Sequence, residues 1–201
     1  MPRSGLVFGI GMQCTATMSL RIYLKGLGYN ALHWPEWLED EFGRNLNVGN
    51  DRAMEILAPV FQLYDAFCDV PFPGLYQELD RTFPDAHFVL TVRSPQSWWR
   101  SVSRLWKLEQ RQVRDLTPGE IIQYRAYDPV GMTRVRFEDA ETLMGKFMQL
   151  NAAVKRHFAD RPDKLLVVDI EDQEKSRSIS RFLGKSVEQF PHLNVRSRGA
   201  N

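Results

Sequence analysis

The stretch that decides the fold is LVFGIGMQCTATMSLRIYLKGLG, residues Leu6 to Gly28. Its first five residues, Leu6–Ile10, are apolar apart from one glycine, as in a central parallel strand that is buried on both faces. Gly9 and Gly11 let the chain turn sharply and let a ligand approach the backbone. A helix follows the loop Gly11–Ala16 and ends near Gly28, which we expect to be its C-cap. The pattern predicts a strand, a tight loop and a helix.

The start of this helix is rich in hydroxyl groups, which Thr15, Thr17 and Ser19 supply. At a helix N-terminus, free backbone N–H groups and the helix dipole favour an anion. The stretch is therefore interpreted as a cradle for a phosphate group.

The common ATP and GTP loop does not match this stretch. That loop requires G-x-x-x-x-G-K-S/T, and counting from Gly11 the chain has Ala16, Thr17 and Met18 at the last three positions. Because the lysine that reaches the outer phosphates is absent, we do not expect ordinary nucleoside triphosphate hydrolysis.

The dinucleotide pattern G-x-G-x-x-G is a nearer match, with Gly9, Gly11 and a small residue, Cys14, at the third position. No acidic residue stands directly at the end of the second predicted strand, and Glu36 is the nearest. A dehydrogenase or kinase-like enzyme therefore stays an alternative.

Along the rest of the chain, predicted strands alternate with predicted helices. The further strands are Tyr29–His33, Ala66–Val70, His87–Val92 and Leu165–Ile170. The further helices are Asp51–Leu63, Gly74–Phe83, Pro95–Gln112, one that begins at Thr117, Phe137–Phe158 and Glu174–Leu183. This alternation predicts an α/β fold with a central, mostly parallel sheet of about five strands. Ligands of such sheets lie outside the carboxyl ends of the strands.

Composition excludes several classes of function. The net charge is +1, so no overall field argues for a nucleic-acid or membrane partner. Two cysteines, Cys14 and Cys68, are too few for a disulfide framework and fit a reducing compartment. We see neither a secretory signal nor a transmembrane span, so the expected location is cytoplasmic. One domain over residues 1–201 is expected, with a loosely ordered tail from about residue 195.

The loop FGIGMQCTATMSL resembles the 5′-phosphosulfate loop of the sulfotransferase superfamily. That loop follows a hydrophobic strand and reads Lys/Arg, Ser/Thr, Gly, Thr, Thr/Ser, any residue, Leu/Trp. The resemblance implies a three-layer P-loop-type fold flanked by helices, and it assigns co-substrate binding to residues at the loop and helix start: Gln13, Cys14, Thr15, Ala16, Thr17, Met18 and Ser19.

A second block, LTVRSPQSWWRSV (Leu90–Val102), is similar to the family's 3′-phosphate motif. In that motif an Arg ends a strand, a Pro follows two residues later, and a Ser stands eight residues after the Arg. Here these residues are Arg93, Pro95 and Ser101. A guanidinium can donate two parallel hydrogen bonds to a phosphate, and Ser101 lies about two helical turns further on. This implies 3′-phosphoadenosine 5′-phosphosulfate (PAPS) as co-substrate and its desulfated form, PAP, as product.

A third block, Cys68-Asp69-Val70-Pro71, stands where many cytosolic sulfotransferases have T-H-x-P with a catalytic His. The resemblance implies in-line transfer of a sulfuryl group to the hydroxyl or amine of a small acceptor, with no metal. Asp69 is the first candidate for the base, and His33, at the end of the second strand, is the second, since an imidazole can take a proton near neutral pH. The acceptor's identity and the oligomeric state stay open.

One residue departs from the family pattern. The Lys or Arg that stabilises the leaving phosphate falls on Cys14, which cannot supply a positive charge. The loop glycine is replaced by Ala16, which adds a methyl group. A catalytically weak or inactive relative that binds PAPS or PAP is therefore the alternative to an active enzyme.

Overall fold

The computed structural model describes residues 5–33, 50–113 and 140–186, and of 106–113 only the backbone. Five parallel strands form one sheet in the order β2-β3-β1-β4-β5. The strands are β1 (Val7–Gly9), β2 (Ala31–His33), β3 (Ala66–Cys68), β4 (His87–Val92) and β5 (Leu165–Asp169). The expected α/β fold with a parallel five-stranded sheet is therefore confirmed.

The central strand β1 is shorter than the predicted Leu6–Ile10, but its hydrogen bonding continues at both ends. His87 N–H donates to the Leu6 carbonyl at 2.9 Å, and Ile10 N–H donates to the Val89 carbonyl at 2.9 Å. Every residue of β1 is buried, as its apolar composition requires of a strand between two others.

Seven helices surround the sheet in the described part of the chain. They are α1 (Thr17–Gly26), α2 (Asn50–Leu57), α3 (Val60–Leu63), α4 (Tyr76–Thr82), α5 (Pro95–Val113), α6 (Ala140–His157) and α7 (Lys175–Phe182). Gly28 follows the end of α1 with φ 91°, and its N–H donates to the Lys25 carbonyl at 3.0 Å. The C-cap of α1 is Leu27, one residue before the predicted Gly28, which follows in the left-handed conformation that glycine adopts without steric cost.

The predicted helices Pro95–Gln112 and Glu174–Leu183 differ from the observed ones by one residue at one or both ends, and two others differ by more. The predicted helix Asp51–Leu63 is two helices, because Pro59 lacks the N–H that a continuous helix needs and instead precedes the second one. The predicted helix Gly74–Phe83 begins at Tyr76, after a 3₁₀ turn at Phe72–Gly74. The helix expected from Thr117 and the tail from about residue 195 lie outside the described residues.

Each face of the sheet carries its own core. On one face, the Phe8 ring stacks on Phe67 and Phe88 at centroid distances of 5.1 and 5.5 Å, and residues of α2 to α4 and α6 cover this cluster. On the other face, α1 and α7 pack over a second cluster that includes Val7, Val89 and Val168. The result is three layers, helix on sheet on helix, with the carboxyl ends of the strands at one edge.

Candidate functional site

Polar residues converge at the carboxyl edge of the sheet. Strand β1 pairs with β3 on one side and β4 on the other, so the loop after β1 lies at the point where the strand order reverses. Ligands of open parallel sheets bind at this point. His33 is level with Cys68 in the pairing of β2 with β3, which places His33 beside Asp69. Arg93 follows the end of β4 on the other side of the loop.

The loop after β1 is packed tightly against β4. A Cβ at Gly11 would lie 1.9 Å from Thr91 Oγ1 and 2.6 Å from Thr15 Oγ1, so only glycine fits there. The Thr15 side chain is fully buried, and its hydroxyl donates to the Met12 carbonyl at 2.5 Å and lies 2.8 Å from Thr91 Oγ1. The Thr15 hydroxyl therefore anchors the loop to the protein.

Two non-glycine residues of this loop have left-handed backbones, Cys14 with φ 66° and Ala16 with φ 63°. This conformation strains a residue that has a Cβ. It explains why the family pattern has glycine at the position of Ala16. Ala16 is also the N-cap of α1 and provides no side-chain cap for it.

The start of α1 presents backbone donors at the loop. The first hydrogen bond of the helix runs from Leu20 N–H to the Ala16 carbonyl at 2.9 Å. The N–H groups of Thr17, Met18 and Ser19 therefore lack the intrahelical acceptors that later residues have. Such groups can bind the oxygens of a phosphate.

Thr17, His33 and Asp69 form a compact cluster beside the start of α1. The Thr17 hydroxyl donates to Asp69 Oδ2 at 2.8 Å, and His33 Nε2 lies 2.9 Å from the same oxygen and 3.1 Å from Thr17 Oγ1. Asp69 Oδ1 accepts from the Val70 N–H at 2.8 Å. The side chains of His33 and Asp69 are 13% and 12% exposed. The two predicted candidates for the base are thus in direct contact.

Asp69 has a left-handed backbone with φ 74°. Aspartate tolerates this conformation better than most residues, but it still carries a free-energy cost of order 1 to 3 kcal/mol. The neighbouring Cys68 thiol is fully buried, and burial, with a contribution from the Asp69 charge, raises its pKa well above the usual range. Cys68 therefore acts as a small apolar side chain below the cluster.

Arg93 connects the loop to helix α5. Its guanidinium donates to the Cys14 carbonyl at 2.9 Å, to Ser101 Oγ at 3.0 Å, and to Ser97 Oγ through two nitrogens at 2.6 and 3.1 Å. The predicted pair of Arg93 and Ser101 is therefore brought together, and the same arginine also holds the loop.

Sequence reasoning missed two residues in this network. Ser97 accepts from Arg93 and lies 3.2 Å from Glu171 Oε1, to which its hydroxyl donates. Ser97 could have been predicted from the sequence, because it stands one turn before Ser101 on the same face of the helix. Glu171 follows β5, 74 residues away from Ser97, and no local signal connects the two.

The remaining predicted residues lie around the same loop. The Gln13 carbonyl accepts from the indole N–H of Trp98 at 3.0 Å, and the Trp98 ring stacks on Phe147 with centroids 4.4 Å apart. Met18 is half-buried and Ser19 is 5% exposed at the start of α1. Among the described residues, no group of three or more His, Cys, Asp or Glu side chains could hold a metal ion.

Comparison with known proteins identifies the family. The model of the family described as "Sulfotransferase domain" matches residues 6–198. The chain belongs to this sulfotransferase family. The resemblance drawn from the loop and the Arg93 block is therefore confirmed.

Two known proteins are similar to this sulfotransferase domain, one in sequence and one in fold. The curated Ava biosynthesis cluster protein M of Aspergillus versicolor is 30% identical over 106 residues, which are 48% of this chain and 41% of that protein. The match thus spans less than half of that relative. The crystal structure of a sulfotransferase from Alicyclobacillus acidocaldarius has a similar fold, with a TM-score of 0.56 and 18% identity over 94% of this chain and 85% of that one. In the described residues, no helix is long and apolar enough to cross a membrane.

Proposed function

We propose that this chain transfers a sulfuryl group from PAPS to the hydroxyl or amine of a small acceptor. The observation that carries the proposal is the position of Arg93. It stands at the end of β4 within hydrogen-bond distance of both Ser101 and the loop carbonyl of Cys14. A 3′-phosphate group bound there would lie next to the loop that receives the 5′-phosphosulfate. A nucleotide with phosphates at both positions would use both groups of donors, whereas ATP and NAD have no 3′-phosphate for Arg93.

Two further features of the proposed PAPS-binding residues support the proposal. The hydroxyls of Thr15 and Thr17 already have protein partners. We therefore assign the 5′-phosphate oxygens to the backbone N–H groups at the start of α1. Gln13, Cys14 and Ala16 contribute their backbone to the turn that aims these groups. PAPS supplies the activated sulfuryl group, and the residues of this chain bind it, orient it and receive the acceptor's proton.

The acceptor side is assigned to His33 and Asp69. Both lie at the carboxyl edge next to α1, where an acceptor oxygen would meet the sulfuryl group. We propose no metal, since the transfer needs a base and phosphate donors only. We also propose a soluble, cytoplasmic protein without a nucleic-acid partner, because its net charge of +1 provides no general attraction for polyanions.

Nucleotide selectivity tests the donor assignment. The thermal shift of the protein is measured with PAP, adenosine 5′-phosphate, ATP and NAD at equal concentrations. A ligand at 100 times its dissociation constant adds about 2.7 kcal/mol to the free energy of unfolding. We expect PAP to give the largest shift. A larger shift with ATP or NAD would contradict the proposal and favour the kinase-like or dehydrogenase alternative.

Arg93→Lys sharpens this test. Lysine keeps the charge but loses the fork, so the affinity for PAP is expected to fall about 10- to 100-fold, the equivalent of one or two charged hydrogen bonds. The affinity for adenosine 5′-phosphate, which has no 3′-phosphate, should change little. Arg100→Lys is the matched control, because Arg100 is exposed on the same helix. An unchanged preference for PAP in Arg93→Lys would contradict the role of Arg93.

Cys14 supports a second candidate, a relative that binds PAPS or PAP with little or no transfer. In the resemblance, its thiol stands where the family has the cation that stabilises the leaving phosphate, and Arg93 donates to its carbonyl. Cys14→Lys separates the two functions. Lysine adds no backbone strain, because Cys14 already has a Cβ in the left-handed conformation.

If the natural protein is a weakened enzyme, Cys14→Lys should raise kcat by two to three orders of magnitude, the effect of one such electrostatic contact. The readout is PAP release with a panel of phenols, alcohols and amines, and Cys14→Ser is the control that changes the thiol without adding charge. A fast natural enzyme that gains nothing from the lysine would contradict the second candidate.

A further inference from the structure

The contacts between His33 and Asp69 distinguish the roles of the two candidate bases. Asp69 Oδ2 is within hydrogen-bond distance of both Thr17 Oγ1 and His33 Nε2, at 2.8 and 2.9 Å, and Asp69 Oδ1 accepts from the Val70 N–H. The Thr17 hydroxyl and the Val70 N–H thus donate to the two oxygens of this carboxylate, and the His33 ring nitrogen lies against the oxygen that Thr17 contacts. A carboxylate held in this way is well suited to orient its neighbours and poorly placed to take a proton from an acceptor.

The imidazole has the opposite arrangement. An ionised carboxylate only accepts hydrogen bonds, so Nε2 carries the proton that lies between His33 and Asp69. The lone pair of the neutral ring is then on Nδ1. No hydrogen bond joins Nδ1 of His33 to any other residue in the described ranges 5–33, 50–113 and 140–186.

The geometry also excludes a nucleophilic role for Thr17. In a nucleophile–His–acid triad, the two ring nitrogens contact different partners. Here the same nitrogen, Nε2, lies 3.1 Å from Thr17 Oγ1 and 2.9 Å from Asp69, and the threonine hydroxyl donates to the carboxylate. Thr17 therefore holds Asp69 in place from the first turn of α1.

We propose that His33 is the general base, acting through Nδ1, and that Asp69 is a positioning residue that fixes its tautomer. The proposal rests on the proposed sulfuryl transfer. The acceptor oxygen or nitrogen bonds to sulfur as the bond from sulfur to the 5′-phosphate oxygen breaks, and that electron pair leaves with PAP. The acceptor's proton passes to Nδ1, and Asp69 stabilises the imidazolium until the ring returns the proton to solvent.

Three variants test the assignment. His33→Gln removes the base, Asp69→Asn keeps the shape of the positioning residue, and Asp80→Asn is the matched control, because Asp80 contacts a different histidine at the opposite edge of the sheet. For each variant, kcat and the dissociation constant of PAP are measured. The tautomer of His33 is read from its ring ¹⁵N chemical shifts, with His33→Gln used to assign the signal.

We expect His33→Gln to lower kcat 10²- to 10⁴-fold with an unchanged dissociation constant for PAP. Asp69→Asn should lower kcat less, about 10- to 100-fold, and remove the preference for the Nε2–H tautomer. Asp80→Asn should leave kcat and the His33 signals unchanged. A larger kcat loss in Asp69→Asn than in His33→Gln would overturn the assignment.

The tautomer measurement separates this inference from the proposed function. A natural protein whose His33 carries its proton on Nδ1 contradicts the inference whether or not transfer is detected. A natural protein with the Nε2–H tautomer that binds PAP but transfers to no acceptor contradicts the proposed enzymatic function, while the pairing of His33 with Asp69 stands.

Discussion

Asp69 at the carboxyl edge of the sheet and Asp80 in α4 at its amino edge are each 8% exposed as whole residues, and each contacts a histidine Nε2 through Oδ2, at 2.9 and 2.8 Å. Their other partners differ. Asp80 accepts from Arg161 at 2.8 and 3.1 Å and lies 3.7 Å from Lys164 Nζ. Apart from its contact with the histidine, Asp69 accepts hydrogen bonds from neutral groups among the described residues, the Thr17 hydroxyl and the Val70 N–H.

The difference separates a structural ion-pair network from a cluster that has few cationic partners among the described residues. Cations neutralise Asp80 and tie α4 to the end of α6 and the start of β5, in an ordinary helical backbone. Asp69 sits in a left-handed backbone beside two further strained residues, Cys14 and Ala16. Strain of this kind collects at functional sites because the surrounding structure must hold it. The same aspartate–histidine contact thus belongs to an ion-pair network at one edge and to the proposed site at the other.

The largest effect is expected from Gly11→Ala, which tests how tightly the carboxyl edge is packed. The new methyl group would lie 1.9 Å from Thr91 Oγ1 and 2.8 Å from the Thr91 carbonyl, so the loop must move away from β4. We expect the free energy of unfolding to fall by at least about 3 kcal/mol, the upper end for overpacking, and PAP binding to be lost. Urea unfolding and thermal shifts with PAP measure the two effects.

Gly145→Ala is the matched control for this substitution. Gly145 lies within α6, and no atom lies within 4 Å of a Cβ built there. The change should leave PAP binding intact and raise the free energy of unfolding by about 0.5 to 1 kcal/mol, since alanine favours a helix. Equal losses in both variants would mean that Gly11 has no special role.

Asp80→Asn is expected to have the next largest effect, on stability alone. It removes the carboxylate that lies beside Lys164 and one of the two beside Arg161, whose Nε keeps Asp160 Oδ1 at 3.6 Å. Breaking a buried pair costs about 3 to 5 kcal/mol, and we expect about 2 to 3 because Arg161 is 38% exposed and keeps contact with water. Guanidinium unfolding measures the loss. A matching fall in kcat would contradict the separation of the two edges.

The free energy of unfolding at acidic pH tests the role of Asp80 in this comparison. Burial alone would raise the pKa of Asp80, but hydrogen bonds from His157 and Arg161 and the charges of Arg161 and Lys164 outweigh it and lower that pKa. A lowered pKa in the folded state means that the carboxylate stabilises the fold above the unfolded value, about 3.9, and loses this effect as pH falls further. The difference in stability between the natural protein and Asp80→Asn should be constant above about pH 5 and shrink below pH 4. A difference that grows on acidification would contradict this sign.

Much of this arrangement could be predicted from the sequence, because local patterns encode local structure. Strand β4 was predicted with its observed bounds, and Arg93 at the end of this strand meets Ser101 on the helix that follows, as the spacing of the two residues predicted. The convergence of His33 and Asp69 followed from parallel strands that end at one edge. Their roles as site residues stay predictions.

The contacts that distinguish the roles of these residues could not be predicted, because they join residues that are far apart in the sequence. The Thr17 hydroxyl reaches Asp69 across 52 residues, and Asp80 meets Arg161 across 81. Such pairs depend on how helices pack over the sheet, which no short motif specifies. The left-handed backbone of Cys14 was equally hidden, since a cysteine does not indicate a positive φ as glycine does.

The smallest effect is expected from Ala16→Gly, which tests whether the carboxyl edge carries strain. Ala16 has φ 63°, where its methyl group costs about 1 to 2 kcal/mol, and glycine removes this cost. Glycine also gains freedom in the unfolded chain, worth about 0.4 to 1 kcal/mol against folding. The net gain in the free energy of unfolding should therefore be small, about 0.5 to 1 kcal/mol, and measurable by thermal unfolding. Ala53→Gly provides the contrast, because Ala53 lies within the regular helix α2 and the same change there should destabilise the protein. Equal losses at both positions would mean that the left-handed turn at Ala16 stores no strain, and the two edges would then differ only in their charges.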